Sequence, residues 1–428
     1  MHEKFVAAVD LGTSRITAML GKKDGAGRLT VIARESVDSD GCIRLGRIYN
    51  IDEVAKKVGG LINSINEKQE RKIDRVYVGL GGQSMRSAEH TITRKLSTET
   101  LINQSLLDNI AEECLNYEPE LLQLLSVSSP EYALDGHPEA SPLGVQCSEI
   151  TTKYQLITGR PFINLIKKSI EEKANIPVVD TIVSPEALAE VVLTPKEKEQ
   201  GCALVDFGAG KTTVSIYKDK LLRYLVTIPL GSSLITKDLC SQNISEQEAE
   251  EFKIHSSLAM VENEDSIPEK TYTSQQIAFN KLNEIVEARA DEILTNVAVQ
   301  IERAGFAKGA LAKGIVITGG GSGLKRLPEA IRRKTGYTVR VAGVREDVFA
   351  NESQVELLPE DAQIVGLVAC GTENCAKEKE IEFSETLFEK EVMVNPQVPK
   401  VEKPLKPGKS KFKRIIDKAA GKLFEGQE

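Results

Sequence analysis

Apolar residues run unbroken from Phe5 to Val9 and then alternate through Ile16-Thr17-Ala18-Met19-Leu20, with Asp10-Leu11-Gly12-Thr13-Ser14-Arg15 between them. A buried run, a glycine-containing turn and an alternating run predict strand, turn, strand. The same grammar returns 196 residues later, where Ala203-Leu204-Val205-Asp206-Phe207-Gly208-Ala209-Gly210-Lys211 leads into Thr212-Thr213-Val214-Ser215-Ile216-Tyr217. Sliding one stretch onto the other pairs Val9 with Val205, Asp10 with Asp206, Gly12 with Gly208, Arg15 with Lys211 and Thr17 with Thr213. The chain therefore reads as two related α/β halves.

Further patterning fills in each half. Residues 75–80 and 178–183 read as strands, and 160–174 and 185–193 as helices. In the second half, 314–318 reads as a buried strand that meets a glycine-rich turn and then a helix over 324–334. Strands alternating with helices predict sheets covered by helices. Residues 84–159 interrupt the first half with strand and helix signals of their own, including an Asp135-Gly136 turn. Residues 244–303 are mostly helical and rich in acids, as expected of a solvent-facing insertion in the second half. The expected organisation is a first half of 1–83 and 160–195, an inserted subdomain over 84–159, a second half over 196–361, and a helix over 362–378 returning to the first half. Four prolines crowd a linker over 379–408, and helical periodicity resumes at 409–428.

Length and charge narrow the class. The 428 residues suffice for two or three domains without disulfide staples. No run approaches the length of a membrane span, and the start lacks the build of an export signal. Seven dispersed cysteines without a C-x-x-C pair predict reduced thiols in a cytosol. Lys and Arg number 55 against 63 acids, a net charge of −8, which argues against nucleic acid as a partner. That sum conceals a polarity: residues 403–424 hold eight basic residues and one acid, a net of +7, leaving −15 on the rest.

The two Asp-x-Gly turns carry the strongest chemical signal. Glycine lets backbone N–H groups approach phosphate oxygens, and the hydroxyls of Thr13, Ser14, Thr212 and Thr213 add donors. Two carboxylates facing each other across a cleft suit a Mg²⁺ held largely through its waters. Taken singly, an Asp-x-Gly also fits an ordinary hairpin; two copies in matching register argue for more. Thr318-Gly319-Gly320-Gly321-Ser322-Gly323 follows a strand and leaves bare backbone against which a base or ribose can lie, with a helix N-terminus beyond it. A P-loop is excluded because Val205 stands where its first glycine belongs, and a dinucleotide fingerprint because Leu324 or Arg326 takes the sixth position.

These three pieces in this order resemble the actin-like ATPase superfamily, and within it the chain resembles the FtsA family of bacterial cell-division proteins. Glu131-Tyr132-Ala133-Leu134-Asp135-Gly136 is similar to a stretch of that family's extra subdomain. Ala249-Glu250-Glu251-Phe252-Lys253 is similar to the superfamily helix whose Glu and Lys contact ribose and base, although E-x-x-K is also an everyday pair on an exposed helix. The resemblance implies a two-lobed actin-like α/β fold holding ATP and Mg²⁺ between its halves. Phosphates would meet Gly12, Thr13, Ser14, Arg15, Gly208, Ala209, Gly210, Lys211 and Thr212. Asp10 and Asp206 would organise metal and water, and Glu250, Lys253, Gly319, Gly320, Gly321 and Ser322 the nucleoside. Many relatives carry a Glu before the proline of the inter-domain helix; here that residue is Ser184, with Glu186 two positions on, which implies at most a weak ATPase.

The tail adds a membrane expectation. At helical spacing Phe412, Ile415, Ile416, Ala419 and Leu423 form one apolar stripe, flanked by Lys411, Lys413, Arg414, Lys418 and Lys422. Such a helix suits an anionic membrane surface; docking on a protein is the alternative. The family resemblance implies a tether of the tubulin-like protein FtsZ on the cytoplasmic face of the membrane at the division site. It also implies that the FtsZ C-terminal peptide docks on 244–303, that copies polymerise head to tail through 84–159, and that other division proteins bind. A pilus-assembly scaffold of the same type and a small-molecule kinase are the rival readings. The kinase lacks a recognisable sugar motif and has no use for the tail.

Overall fold

The computed structural model describes residues 3–160, 163–261, 271–272, 277–307, 309–350 and 355–379. The expected tail helix over 409–428 and nearly all of the expected linker lie outside the described residues.

Each Asp-x-Gly stretch is the turn of a hairpin at the middle of a sheet. In the first, β1 (Lys4–Leu11) pairs antiparallel with β2 (Arg15–Lys23), which pairs antiparallel with β3 (Leu29–Asp38). On the other side of β1 lie β4 (Val76–Leu80) and then β5 (Val178–Val183), each parallel to its neighbour. The second sheet uses β6 (Cys202–Phe207), β7 (Thr212–Lys218), β8 (Leu221–Ile228), β9 (Ile315–Thr318) and β10 (Val339–Val341). Their orders, β5-β4-β1-β2-β3 and β10-β9-β6-β7-β8, match strand for strand and direction for direction. A repeat visible over two short stretches of sequence thus extends to ten strands. The central strands read as unbroken apolar runs because both faces are covered: Val6 to Val9 and Ile315 to Ile317 are all buried.

Helices cover these sheets. In α1 (Ile51–Lys68), Asn50 caps the first turn by accepting from the Glu53 N–H, and Val54, Val58, Leu61, Ile62 and Ile65 face the first core. Pro185 sits in the first turn of α2 (Ser184–Val192), where its missing N–H costs nothing. The second half contributes α3 (Ser233–Cys240), α4 (Glu246–His255) and α5 (Phe279–Arg303). The expectation that 244–303 faces solvent needs correction. Leu282, Val286, Ala290, Ile293, Val297 and Ile301 repeat every three or four residues on α5 and lie fully buried in the core of the second half.

The expected 362–378 helix is also shorter. Among the described residues α6 (Ala362–Cys370) stops at Gly371, and Ala376–Glu378 instead forms a strand against Arg71–Ile73. Gly371 sits tightly on Val6 and Tyr77, and the Lys23 ammonium takes the carbonyls of Ala369 (2.6 Å) and Gly371 (3.0 Å), ending the helix there. Upstream, α6 crosses α2 at Gly366, where a Cβ would lie 2.6 Å from the Ala187 carbonyl carbon. Gly366→Ala is therefore expected to cost about 2–3 kcal/mol of stability through forced separation of the two helices, read as a lower urea midpoint.

Residues 86–159 build a separate small core. Two long strands, Arg86–Leu101 and Gln146–Gly159, form an antiparallel ribbon, and helix Gln104–Leu115 packs Ile110 and Cys114 against Ile92, Ile150, Tyr154 and Leu156. The Asp135-Gly136 pair is a tight turn with both residues at positive φ, and the Asp135 carboxylate accepts from the N–H groups of Ser148 and Glu149. The ribbon is inserted within the first half in sequence but pairs with the edge strand of the second: Arg86 lies opposite Val226, and Ser87 Oγ accepts from the Leu225 N–H. Among the described residues no helix is long and apolar enough to cross a membrane.

Candidate nucleotide cleft

Asp10 is the last residue but one of β1, opposite Thr17, and Asp206 the last but one of β6, opposite Thr213, so the two carboxylates occupy equivalent places in the two sheets. Glycine is required just beyond each. A Cβ on Gly12 would lie 2.6 Å from the Arg15 carbonyl oxygen, and one on Gly208 3.0 Å from that of Lys211. Both turns are braced by residues the sequence pattern did not single out. Buried Ser39 donates its hydroxyl to the Gly12 carbonyl (2.8 Å) and its N–H to that of Ser14 (2.9 Å). The N–H groups of Ser232 and Ser233 donate to the carbonyls of Gly208 (3.0 Å) and Ala209 (2.8 Å). Gly231 permits that approach, since a Cβ there would lie 2.6 Å from the Lys211 nitrogen. Gly-Ser-Ser at the head of a helix was the available signal.

The two turns meet. A Cβ on Gly210 would lie 2.6 Å from Thr13 Cγ2, and the Lys211 side chain crosses to the first half, where its Nζ would stand 2.6 Å from a Cβ on Gly81. Burial raises the pKa of Asp10, opposed by a 2.5 Å hydrogen bond from Gln363 Nε2 and by the Lys211 charge. Burial likewise pushes Asp206 up to about 6, with Lys211 opposing and the Asp10 charge adding to the rise. Gln363, on the first turn of α6, carries no signal in the sequence, because nothing local ties it to a residue 353 positions away.

This donor set fits a hydrated divalent cation. Two buried carboxylates, the charge of Asp10 raising the proton affinity of Asp206, gain from a positive charge beside them. Buried Ser184 Oγ and Thr318 Oγ1 make no hydrogen bond within the protein; Thr318 lies opposite Asp206, and Gly79 borders both Ser184 Oγ and Asp10 Oδ1. Among the described residues no three carboxylate, Cys or His side chains cluster as a complete protein cage, so water would supply most ligands, as Mg²⁺ prefers.

The sign of the Asp206 shift gives a test. In the empty cleft the folded state holds a proton that the unfolded chain releases near pH 4, so stability falls as pH rises from about 4 through about 6. Asp206→Asn is expected to be more stable than the parent at pH 7.5, by roughly 1–2 kcal/mol after allowance for solvent screening, and equal to it near pH 4. Urea unfolding at the two pH values decides it.

On the nucleoside side, Lys253 Nζ donates to Glu250 Oε2 (2.6 Å) and to Thr236 Oγ1 (2.9 Å), while the Thr236 hydroxyl donates to the same carboxylate oxygen (2.6 Å). The three form one polar group between α3 and α4. Gly319, at φ +87°, packs against Asp206, and Gly321 against the Phe207 ring; a Cβ on Gly320 would meet only Glu360 Cβ, at 3.7 Å, Gly323 faces open space, and the Ser322 hydroxyl donates to the Gly319 carbonyl at 2.7 Å. The glycine run does not open directly into a helix as expected. Gly320–Gly323 forms its own 3₁₀ turn and the helix Leu327–Thr335 begins later, because Arg326 at φ +61° and Pro328 set its start. Ser14 and Arg15 are exposed, Arg15 pairing with Glu360 at 3.5 Å. Thr212 is fully buried and its hydroxyl donates to the Leu230 carbonyl (2.8 Å), so it fixes the turn rather than offering a free donor. Glu186 lines a separate cavity of about 60 Å³ with Glu190, Lys198 and Tyr217.

Comparisons with known proteins accord with this geometry. Residues 203–357 match the family model described as cell division protein FtsA. The cell division protein FtsA of Porphyromonas gingivalis is 30% identical over 379 residues, covering 86% of this chain and 78% of that protein. That of Neisseria meningitidis serogroup B is 27% identical over 356 residues, covering 81% and 85%. Among solved structures, a chain of the PilM-PilN type IV pilus biogenesis complex superposes with a TM-score of 0.57 at 16% identity over 85% of this chain and 97% of that one, a likeness of fold.

Proposed function

Because the chain belongs to the FtsA family of cell-division proteins and has the two-lobed actin-like fold, we propose that it is an ATP-dependent adaptor joining FtsZ filaments to the cytoplasmic face of the membrane at the division site. The observation that carries the nucleotide part is the meeting of the two Asp-x-Gly turns, with Lys211 reaching from one half to the other. A triphosphate between the turns takes backbone N–H groups of Gly12, Thr13 and Ser14 on one side and of Gly208, Ala209 and Gly210 on the other. The backbone of Gly320 and the Glu250–Lys253 pair receive the nucleoside. Asp10 and Asp206 would hold the waters of a Mg²⁺ ion, which would neutralise phosphate charge; Gln363 keeps Asp10 oriented, and Lys211 adds a charge from the second turn. The hydroxyl of Ser184 cannot act as a carboxylate base for water, so the residues here favour binding and slow turnover over rapid hydrolysis.

Bound nucleotide then fixes the halves for head-to-tail self-association through residues 84–159. The acidic region 244–303 receives the FtsZ C-terminal peptide, and the basic tail rests on lipid. The decisive experiment is co-sedimentation of purified FtsZ with anionic vesicles. FtsZ should pellet with vesicles only when the full-length protein and Mg·ATP are present, and pelleting that ignores the protein would sink the adaptor reading.

A further inference from the structure

A short hairpin, Ile43–Arg44 against Arg47–Ile48, turns through Leu45 and Gly46 at φ +48° and +72°. Glycine accepts that conformation freely, whereas leucine takes it only under constraint. The constraint is visible, because the tip sits where the two phosphate turns meet. The Gly46 N–H donates to Thr13 Oγ1 at 2.8 Å. A Cβ on Gly46 would lie 3.0 Å from Lys211 Cδ, and one on Gly210 2.8 Å from Leu45 Cα. The tip therefore engages Thr13 of the first turn and Gly210 and Lys211 of the second. A phosphate between the turns has to part Thr13 from Gly210 and draw Lys211 toward itself, and both movements detach the tip.

Which phosphate does this depends on the site's layout. The Gly319–Gly321 backbone packs on Asp206 and Phe207, at the base of the second turn. A nucleotide seated there meets the second turn first and reaches Thr13 only with its last phosphate. Behind the tip, the arms of the hairpin are tied to the start of α1: the Tyr49 N–H donates to the Cys42 carbonyl (2.9 Å), and Asn50 caps the helix. The Tyr49 ring is 62% exposed, and the guanidinium groups of Arg44 and Arg47 both stand over it, 5.4 and 5.5 Å from its centroid. Any withdrawal of the tip disturbs that stack.

Resting on the nucleotide reading of the cleft, we propose that the 43–48 hairpin distinguishes a nucleoside triphosphate from a diphosphate, docking on Thr13, Gly210 and Lys211 until the outermost phosphate displaces it. The Arg44–Tyr49–Arg47 stack is then a surface whose shape depends on phosphate number. The chain has no tryptophan, so Tyr49→Trp in the full-length protein places one reporter on that stack. With Mg²⁺, a saturating non-hydrolysable triphosphate analogue should change its emission several-fold more than saturating ADP. Leu45→Gly relieves the strain of the docked tip, and calorimetry should find triphosphate affinity lowered about fivefold with ADP affinity unchanged. Equal emission changes with both nucleotides, or none while calorimetry records binding, overturns the hairpin's role and leaves the cleft's intact. Equal loss of both affinities in Leu45→Gly does the same. Failure of the parent protein to bind either nucleotide overturns both.

Discussion

Deleting residues 409–428 is expected to release the protein from anionic vesicles, with bound protein falling from most of the sample to the level seen with neutral lipid. Five basic side chains, Lys411, Lys413, Arg414, Lys418 and Lys422, contribute about 1 kcal/mol each near an anionic surface, beside insertion of Phe412, Ile415, Ile416, Ala419 and Leu423. Residues 1–408, at a net −11, are repelled by the same surface, so the deletion removes the attraction and leaves the repulsion. Two controls separate the contributions. Raising salt should weaken binding through screening, whereas Ile415→Asp with Ile416→Asp should weaken it at low salt while the basic residues remain. Vesicle binding that survives the deletion would refute membrane targeting by this segment.

Asp206→Asn carries the second large effect. It removes one of the two carboxylates facing the phosphate turns, and the gain in ATP affinity conferred by Mg²⁺ should fall by roughly 10- to 100-fold. Affinity measured without Mg²⁺ should change little or improve, because a negative charge beside the phosphates is lost. Since the same substitution is expected to stabilise the empty protein at pH 7.5, weaker binding cannot be put down to unfolding. The parent's Mg²⁺ dependence should itself decline below about pH 6, where Asp206 takes up a proton and no longer attracts a cation. An unchanged Mg²⁺ dependence in the variant would remove Asp206 from the metal site.

How much of the fold and the cleft is legible in the sequence depends on the range of each interaction. Strand, turn and strand around Asp10 and Asp206 are legible because hairpin grammar is local and occurs twice. Periodicity alone carries α6 past its true end, because its stop depends on Val6, Tyr77 and Lys23, hundreds of positions away. The acids of residues 244–303 suggest a solvent-facing insertion, although the apolar spacing of α5 already marks a buried face. Gln363, Ser39 and the 43–48 hairpin give no local signal, because each is an ordinary residue or turn until another part of the chain meets it.

By itself the sequence determined the periodicities, the paired turns, the glycine run and the contrast between an acidic body and a basic tail. These properties belong to neighbouring residues, and steric and hydropathic preferences act at that scale. Only the tertiary structure decided that the turns touch, that Lys211 crosses from one half to the other, and that burial raises the proton affinity of both Asp10 and Asp206. It also decided that the ribbon over 86–159 pairs with the second half's edge strand rather than with the half into which it is inserted in the chain. Such partnerships depend on which surfaces remain unsatisfied once the sheets have formed, and backbone hydrogen bonds and buried charges then select among them across hundreds of residues.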